Sequence, residues 1–224
     1  MIGGSLGLAL SSRGWHVTGC DSVGDIEREA LSLGVIHQIG VDKDAAITFV
    51  ATPVSSIAEQ VVRALAETTG LVTDVGGVKA HLVGQINDPR FIGGHPMAGS
   101  ELIGLAGADA KLFESAVWVL TPSVGISDSN FEQVAGVVTE LGSEIVVLDP
   151  QRHDQLVAIV SHLPAIGCPP INRASLICPT RWAFTPPTSV TKPVVLASAR
   201  TTCSAIDETG VATNVIAEFL STPI

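Results

Sequence analysis

The chain has 224 residues, 46% of them hydrophobic and 15% charged, enough to bury one full domain and part of a second. A net charge of −10 and an isoelectric point near 4.9 argue against nucleic acid and against an anionic membrane as partner. Cys20, Cys168, Cys178 and Cys203 show neither CxxC spacing nor histidines at metal-ligand spacing; no metal is expected, and a reducing cytoplasm fits better than a disulfide scaffold.

Met1 to Leu10 is apolar but too short to span a bilayer and has no basic segment ahead of it, so it reads as a buried helix. Gly3, Gly4 and Ser5 open this helix much as the last glycine of a dinucleotide fingerprint opens the helix that faces a pyrophosphate. No strand or earlier glycines precede them, so the motif is weak by itself. Ile2 and Gly3 are candidate cofactor contacts.

The run 15–21 reads as a strand ending in Asp21. A carboxylate there accepts hydrogen bonds from both ribose hydroxyls and repels a 2′-phosphate, which favours NAD over NADP. The other reading of Asp21 is a turn or cap residue ahead of Ser22 and Gly24. After a helix at 24–33, the strand 45–52 ends in Thr52 and Pro53, a turn beside the adenosine. A helix at 54–67 leads to the strand 70–76, where Asp74 and Val75 stand before Gly76, Gly77 and a helix at 78–86.

The segment 91–101, FIGGHPMAGSE, places His95 in a glycine-lined turn after a short strand at 90–94. Gly93 and Gly94 would let a cofactor approach the backbone closely. Pro96 fixes the exit, and His95 is suited to accept a proton near neutral pH. Further strands at 116–122 and 143–149 flank a helix at 128–142. Strands apolar along their whole length and separated by helices predict an α/β fold, a Rossmann-like doubly wound parallel sheet lacking its first strand. Small or polar residues at the carboxyl ends of consecutive strands mark the ligand crevice of such a sheet.

Residues 1–150 form the expected dinucleotide-binding domain. Residues 151–224 read as the start of a helical substrate and dimerisation domain, irregular after 167: an incomplete or aberrant C-terminal region. Eight of the 13 prolines lie from Pro164 onward, and proline in a helix interior costs about 3 kcal/mol, so no bundle helix runs through 169–193. Only Val211 to Leu220 looks helical. The region is either a flexible tail or, over 168–224, a segment joined or read in a different frame.

IGGSLG (Ile2 to Gly7), TDVGGVK (Thr73 to Lys79), GGHPMAGSE (Gly93 to Glu101), RHD (Arg152 to Asp154) and SHLP (Ser161 to Pro164) occur in that order. In this they resemble the prephenate and arogenate dehydrogenases of tyrosine biosynthesis, over about three quarters of the chain. The resemblance implies oxidative decarboxylation of a cyclohexadienyl alcohol with hydride transfer to NAD(P). His95 corresponds to the histidine that takes the hydroxyl proton and His162 to a second catalytic position. Ser161 and His153 are expected to line the substrate side. For His153 and Asp154 the alternative is the capping of a helix after Pro150.

The chain departs from the family's pattern where serine is usual and Gly77 stands, and it lacks the Gly-Phe-Arg-Asp context of a substrate-binding arginine, for which Arg200 is the nearest substitute. The family would be a homodimer, but the dimerising domain looks absent. Two rival readings stand beside the enzyme: an inactive remnant of it, and another NAD(P)-dependent reductase of Rossmann fold.

Overall fold

The computed structural model describes residues 1–100, 102–162 and 194–197, with residues 160–162 and 194–197 described by their backbone alone. Helix α1 (Ile2–Ser11) opens the fold, followed by β1 (Val17–Cys20), α2 (Gly24–Ser32), β2 (Gln38–Ile39), β3 (Ile47–Val50) and α3 (Val54–Glu67). Then come β4 (Leu71–Asp74), α4 (Ala80–Gln85), β5 (Phe91–Pro96), β6 (Val117–Pro122), α5 (Asp128–Glu140), β7 (Glu144–Val147), α6 (Pro150–His162) and β8 (Val194–Ala197). The eight strands form one sheet in the order β2-β1-β8-β3-β4-β5-β6-β7.

Alternation along each strand sends successive side chains to opposite faces, and both faces are buried. On one, Leu6, Ala9 and Leu10 of α1 and Val134 and Val138 of α5 pack with Ile47, Phe49, Ile92 and Trp118. On the other, Ile57 and Val61 of α3 and Leu82 of α4 pack with Val50, Val72 and Phe91. This double coverage explains why the strands read as unbroken apolar runs. Among the described residues no helix is long and apolar enough to cross a membrane.

The expected Rossmann-like, mostly parallel sheet is present, with three details that the residues alone did not give. The sheet is mostly parallel, but β6 runs antiparallel to β5, with Gly94 opposite Leu120 and His95 opposite Val119. A strand buried on both faces carries no mark of its direction, so the reversal was invisible in the residues. Pairing with β6 also extends β5 through Pro96, so His95 sits inside a strand and not in a turn. Lastly, the proline-rich C-terminal region contributes a strand, β8, which occupies the gap between β1 and β3.

Gly93 and Gly94 face protein rather than open space. A Cβ on Gly93 would lie 2.3 Å from Thr121 Oγ1, and one on Gly94 would lie 2.5 Å from the Asp74 carbonyl oxygen. Glycine is needed here so that β5 can approach its neighbours, which replaces the expectation of a cofactor lying against these two residues.

Candidate active site

The site is built at the carboxyl ends of β4 and β5 and completed by α6. The turn after β4 is held by a fully buried ion pair between Lys79 Nζ and Asp74 Oδ2, 2.6 Å apart. Lys79 also donates to the carbonyl oxygens of Gly76 and Val78. Asp74 accepts from the backbone N–H of Gly76 (2.8 Å) and of Gly94 (3.1 Å). Burial pushes the Asp74 carboxyl up, against the pull of Lys79 and the two amides. Every one of these partners is a donor, which suits a carboxylate. Asp74 therefore ties the turn carrying Gly77 to the strand carrying His95. Its carboxylate, a candidate cofactor contact from the sequence, is turned inward onto Lys79 and the two amides.

His95 lies partly buried in β5, and its Nδ1 is 2.8 Å from Nε2 of His153. His153, on α6, is 0% exposed, and its Nδ1 is 2.7 Å from Oδ1 of Asp154. Asp154 also accepts the backbone N–H groups of Lys79 (2.8 Å) and Ala80 (3.0 Å) at the start of α4. The carboxylate takes the Nδ1–H of His153, which leaves Nε2 of His153 as an acceptor. His95 must then donate its own Nδ1–H, and its Nε2 carries the free lone pair. That nitrogen faces Gly77, where a Cβ would lie 3.6 Å from it.

Burial, then the neighbouring His153 and Lys79, pull the His95 pKa down from 6.5 to about 4, against the opposite effect of Asp154. The imidazole is neutral near pH 7. Burial also lowers His153. Asp154 is held below the ordinary carboxylate range: burial works upward, but the hydrogen bonds from His153 and the two amides outweigh it.

His153 was expected to line the substrate side. It is buried behind His95 instead, and Asp154 caps α4, a helix distant in sequence, while α6 begins with Asp149 Oδ1 accepting the Arg152 N–H at 2.9 Å. Ser161 and His162 fall in the last turn of α6, and their side chains lie outside the described residues, as do Arg200 and the stretch Val211 to Leu220. Lys79 and Asp154 were missed as site residues. Both stood inside quoted motifs, but their partners are supplied by other elements.

A second region lies at the carboxyl ends of β1 and β3. An open crevice is lined by Gly3, Gly4, Asp21, Glu27, Ala51 and Leu105, among others. A Cβ on Gly3 would lie 3.3 Å from Cβ of Ala51, so the start of α1, with Ile2 at its first position, sits tightly against the end of β3. Asp21 Oδ1 accepts from the Val23 N–H at 3.0 Å and the Ser22 hydroxyl at 3.4 Å, and the Asp21 N–H donates to Glu27 Oε1 at 2.8 Å. It is thus a turn residue at the crevice wall, and the two readings of Asp21 do not exclude each other. Thr52 is buried, Pro53 stands at the N-terminus of α3, and the Val75 N–H donates to the Val50 carbonyl at 3.2 Å.

The family model described as the prephenate dehydrogenase nucleotide-binding domain matches residues 6–147. The prephenate dehydrogenase of Bacillus subtilis (strain 168) is 34% identical over 181 residues, covering 74% of this chain and 49% of that protein. The crystal structure of Synechocystis arogenate dehydrogenase has a TM-score of 0.67 at 32% identity, covering 74% of this chain and 62% of that one. Aquifex aeolicus prephenate dehydrogenase, in complex with hydroxyphenyl propionate and NAD+, has a TM-score of 0.68 at 28% identity, covering 74% of this chain and 62% of that one. The chain spans about half the length of the curated prephenate dehydrogenases it matches, 49% for those of Bacillus subtilis and Lactococcus lactis alike. With the family model matched across six strands and the strand that carries His95, the chain belongs to the prephenate dehydrogenase family and carries its nucleotide-binding domain.

Proposed function

We propose that this chain binds NAD in the crevice beside α1 and uses His95 as the base in the oxidative decarboxylation of prephenate or arogenate, a step of tyrosine biosynthesis. The observation that carries the reading is the chain His95, His153, Asp154, which leaves His95 neutral with Nε2 free to accept a proton. The crevice suits a dinucleotide: a helix N-terminus for phosphate, glycines where helix and strand approach, and Asp21 for ribose hydroxyls. Ile2, Gly3, Thr52, Pro53 and Val75 border that region, and the hydroxyphenyl propionate bound with NAD+ in the Aquifex aeolicus relative points to a small-molecule substrate.

NAD, when bound, supplies the acceptor for the hydride leaving the alcohol carbon. His95 Nε2 takes the hydroxyl proton as the carbonyl forms; the bond to the ring carboxylate breaks, CO₂ departs, and the electron pair restores aromaticity. His153 and Asp154 hold His95 in the required tautomer and stabilise the charge it gains. Ser161 and His162 are assigned to the substrate side.

The test is NADH formation by the 224-residue chain with prephenate and with arogenate, beside calorimetric binding of NAD. Turnover that falls about 10²- to 10⁴-fold in His95→Asn, with NAD affinity unchanged, is expected. NAD binding without turnover of either substrate would overturn the dehydrogenase reading, and turnover of a β-hydroxy acid alone would assign another reductase.

A further inference from the structure

Val194–Ala197 lies between β1 and β3 and pairs in parallel with both, all four residues in register on each side. The flanking strands are in the middle of the molecule: Val17, Thr18, Ile47, Thr48, Phe49 and Val50 are each at most 1% exposed. Neighbouring strands stand about 4.8 Å apart, so β1 and β3, separated by one strand, are about 10 Å apart and out of pairing reach of each other. An empty slot would leave the facing N–H and C=O groups of these two central strands without protein partners, whereas backbone groups inside a fold are almost always paired.

The slot also borders the crevice. Ala197 is level with Cys20 and Val50, and the next residues on those two strands, Asp21 and Ala51, line the crevice with Gly3 and Gly4. The composition of the segment suits a strand covered on both faces: two valines, a leucine and an alanine, with no proline among the four.

We propose that Val194–Ala197 is an intramolecular strand donor that completes the sheet of its own chain, so that the nucleotide crevice is formed only while this segment is docked. The cofactor half of the molecule thereby depends on residues that follow the family's matched region, 6–147. The connection from α6, residues 163–193, is 31 residues long, a length that reaches the slot within one chain at about 3.3 Å per residue.

Two experiments on the full chain test this without cofactor or substrate, so their failure is separable from failure of the dehydrogenase reading. The first is Ala197→Cys under mild diamide oxidation. Cα atoms of paired positions on adjacent strands fall within disulfide range, so peptide mapping is expected to find the new thiol joined to Cys20 in a monomer. Joining to Cys168, Cys178 or Cys203, a cross-linked dimer, or a free thiol would overturn the proposal. The second is amide exchange of Val195→Pro, which removes a donor from the middle of the strand, beside Val195→Thr. Exchange at 17–20 and 47–50 is expected to rise at least about 100-fold in the proline variant, with the threonine variant near wild type. Unchanged exchange would show that another segment fills the slot, and if the proline variant does not fold, the cross-link decides.

Discussion

Nδ1 of His95 lies 2.8 Å from Nε2 of His153, and that contact leaves Nε2 as the nitrogen of His95 free to accept a proton. Asp154 Oδ1, 2.7 Å from the far nitrogen of His153, sets the direction of the whole chain of hydrogen bonds. The donor order is imposed from the carboxylate outward.

Asp154→Asn removes the charge and offers an amide donor, which permits the opposite tautomer of His153 and hence of His95. We expect kcat to fall about 10- to 100-fold with little change in NAD affinity, the range seen when a partner behind a ligand or base is altered. A kcat equal to wild type would show that Asp154 acts only as the cap of α4. Steady-state kinetics with calorimetric NAD binding is the measurement.

The lowered pKa of His95 makes stability depend on pH. The unfolded chain takes up a proton near 6.5, whereas the folded one resists it until about 4. Between those values the unfolded state binds more protons, so the contribution is complete above about pH 6.5 and is lost as pH falls toward 4, by up to about 3 kcal/mol. His153 is shifted the same way. Urea unfolding at about pH 7 and about pH 4.5 is expected to show this loss, and His95→Asn is expected to flatten it. The acid limb of kcat/KM should likewise lie near pH 4 and not near 6.5.

Gly77→Ser has room. Among the described residues, a Cβ at this position meets only the ring of His95, at 3.6 Å from Nε2 and 3.7 Å from Cε1. The serine hydroxyl would come within hydrogen-bond reach of Nε2 and could orient both base and substrate. A stability change within about 0.5 kcal/mol and a gain in kcat of up to about 10-fold are expected. Loss of several degrees in Tm would mean the turn cannot accept a side chain.

Asp21→Ser removes the carboxylate from the crevice wall, and with it the repulsion of a 2′-phosphate. The variant is expected to bind NAD more weakly and NADP more tightly, shifting the affinity ratio about 10-fold or more. Equal or tighter NADP binding by the unaltered chain would remove Asp21 from the cofactor assignment.

Local pattern determined most of the elements. The apolar runs containing Ile47–Val50 and Leu71–Asp74 mark strands, and α3 spans the expected 54–67, because burial on one or two faces writes a period into the residues. The end of a strand is likewise legible, which is why Asp21 and the turn after Asp74 stood out. Tertiary structure decided what depends on distant partners. Direction is not encoded in a strand buried on both faces, so the antiparallel β6 was unreadable. The inward turn of Asp74 depends on Lys79 and Gly94, and the role of His153 depends on His95, 58 residues away. The strand at 194–197 depends most of all on the fold: four residues in a proline-rich stretch carry little period, and only a gap between two buried strand edges gives them a reason to be extended.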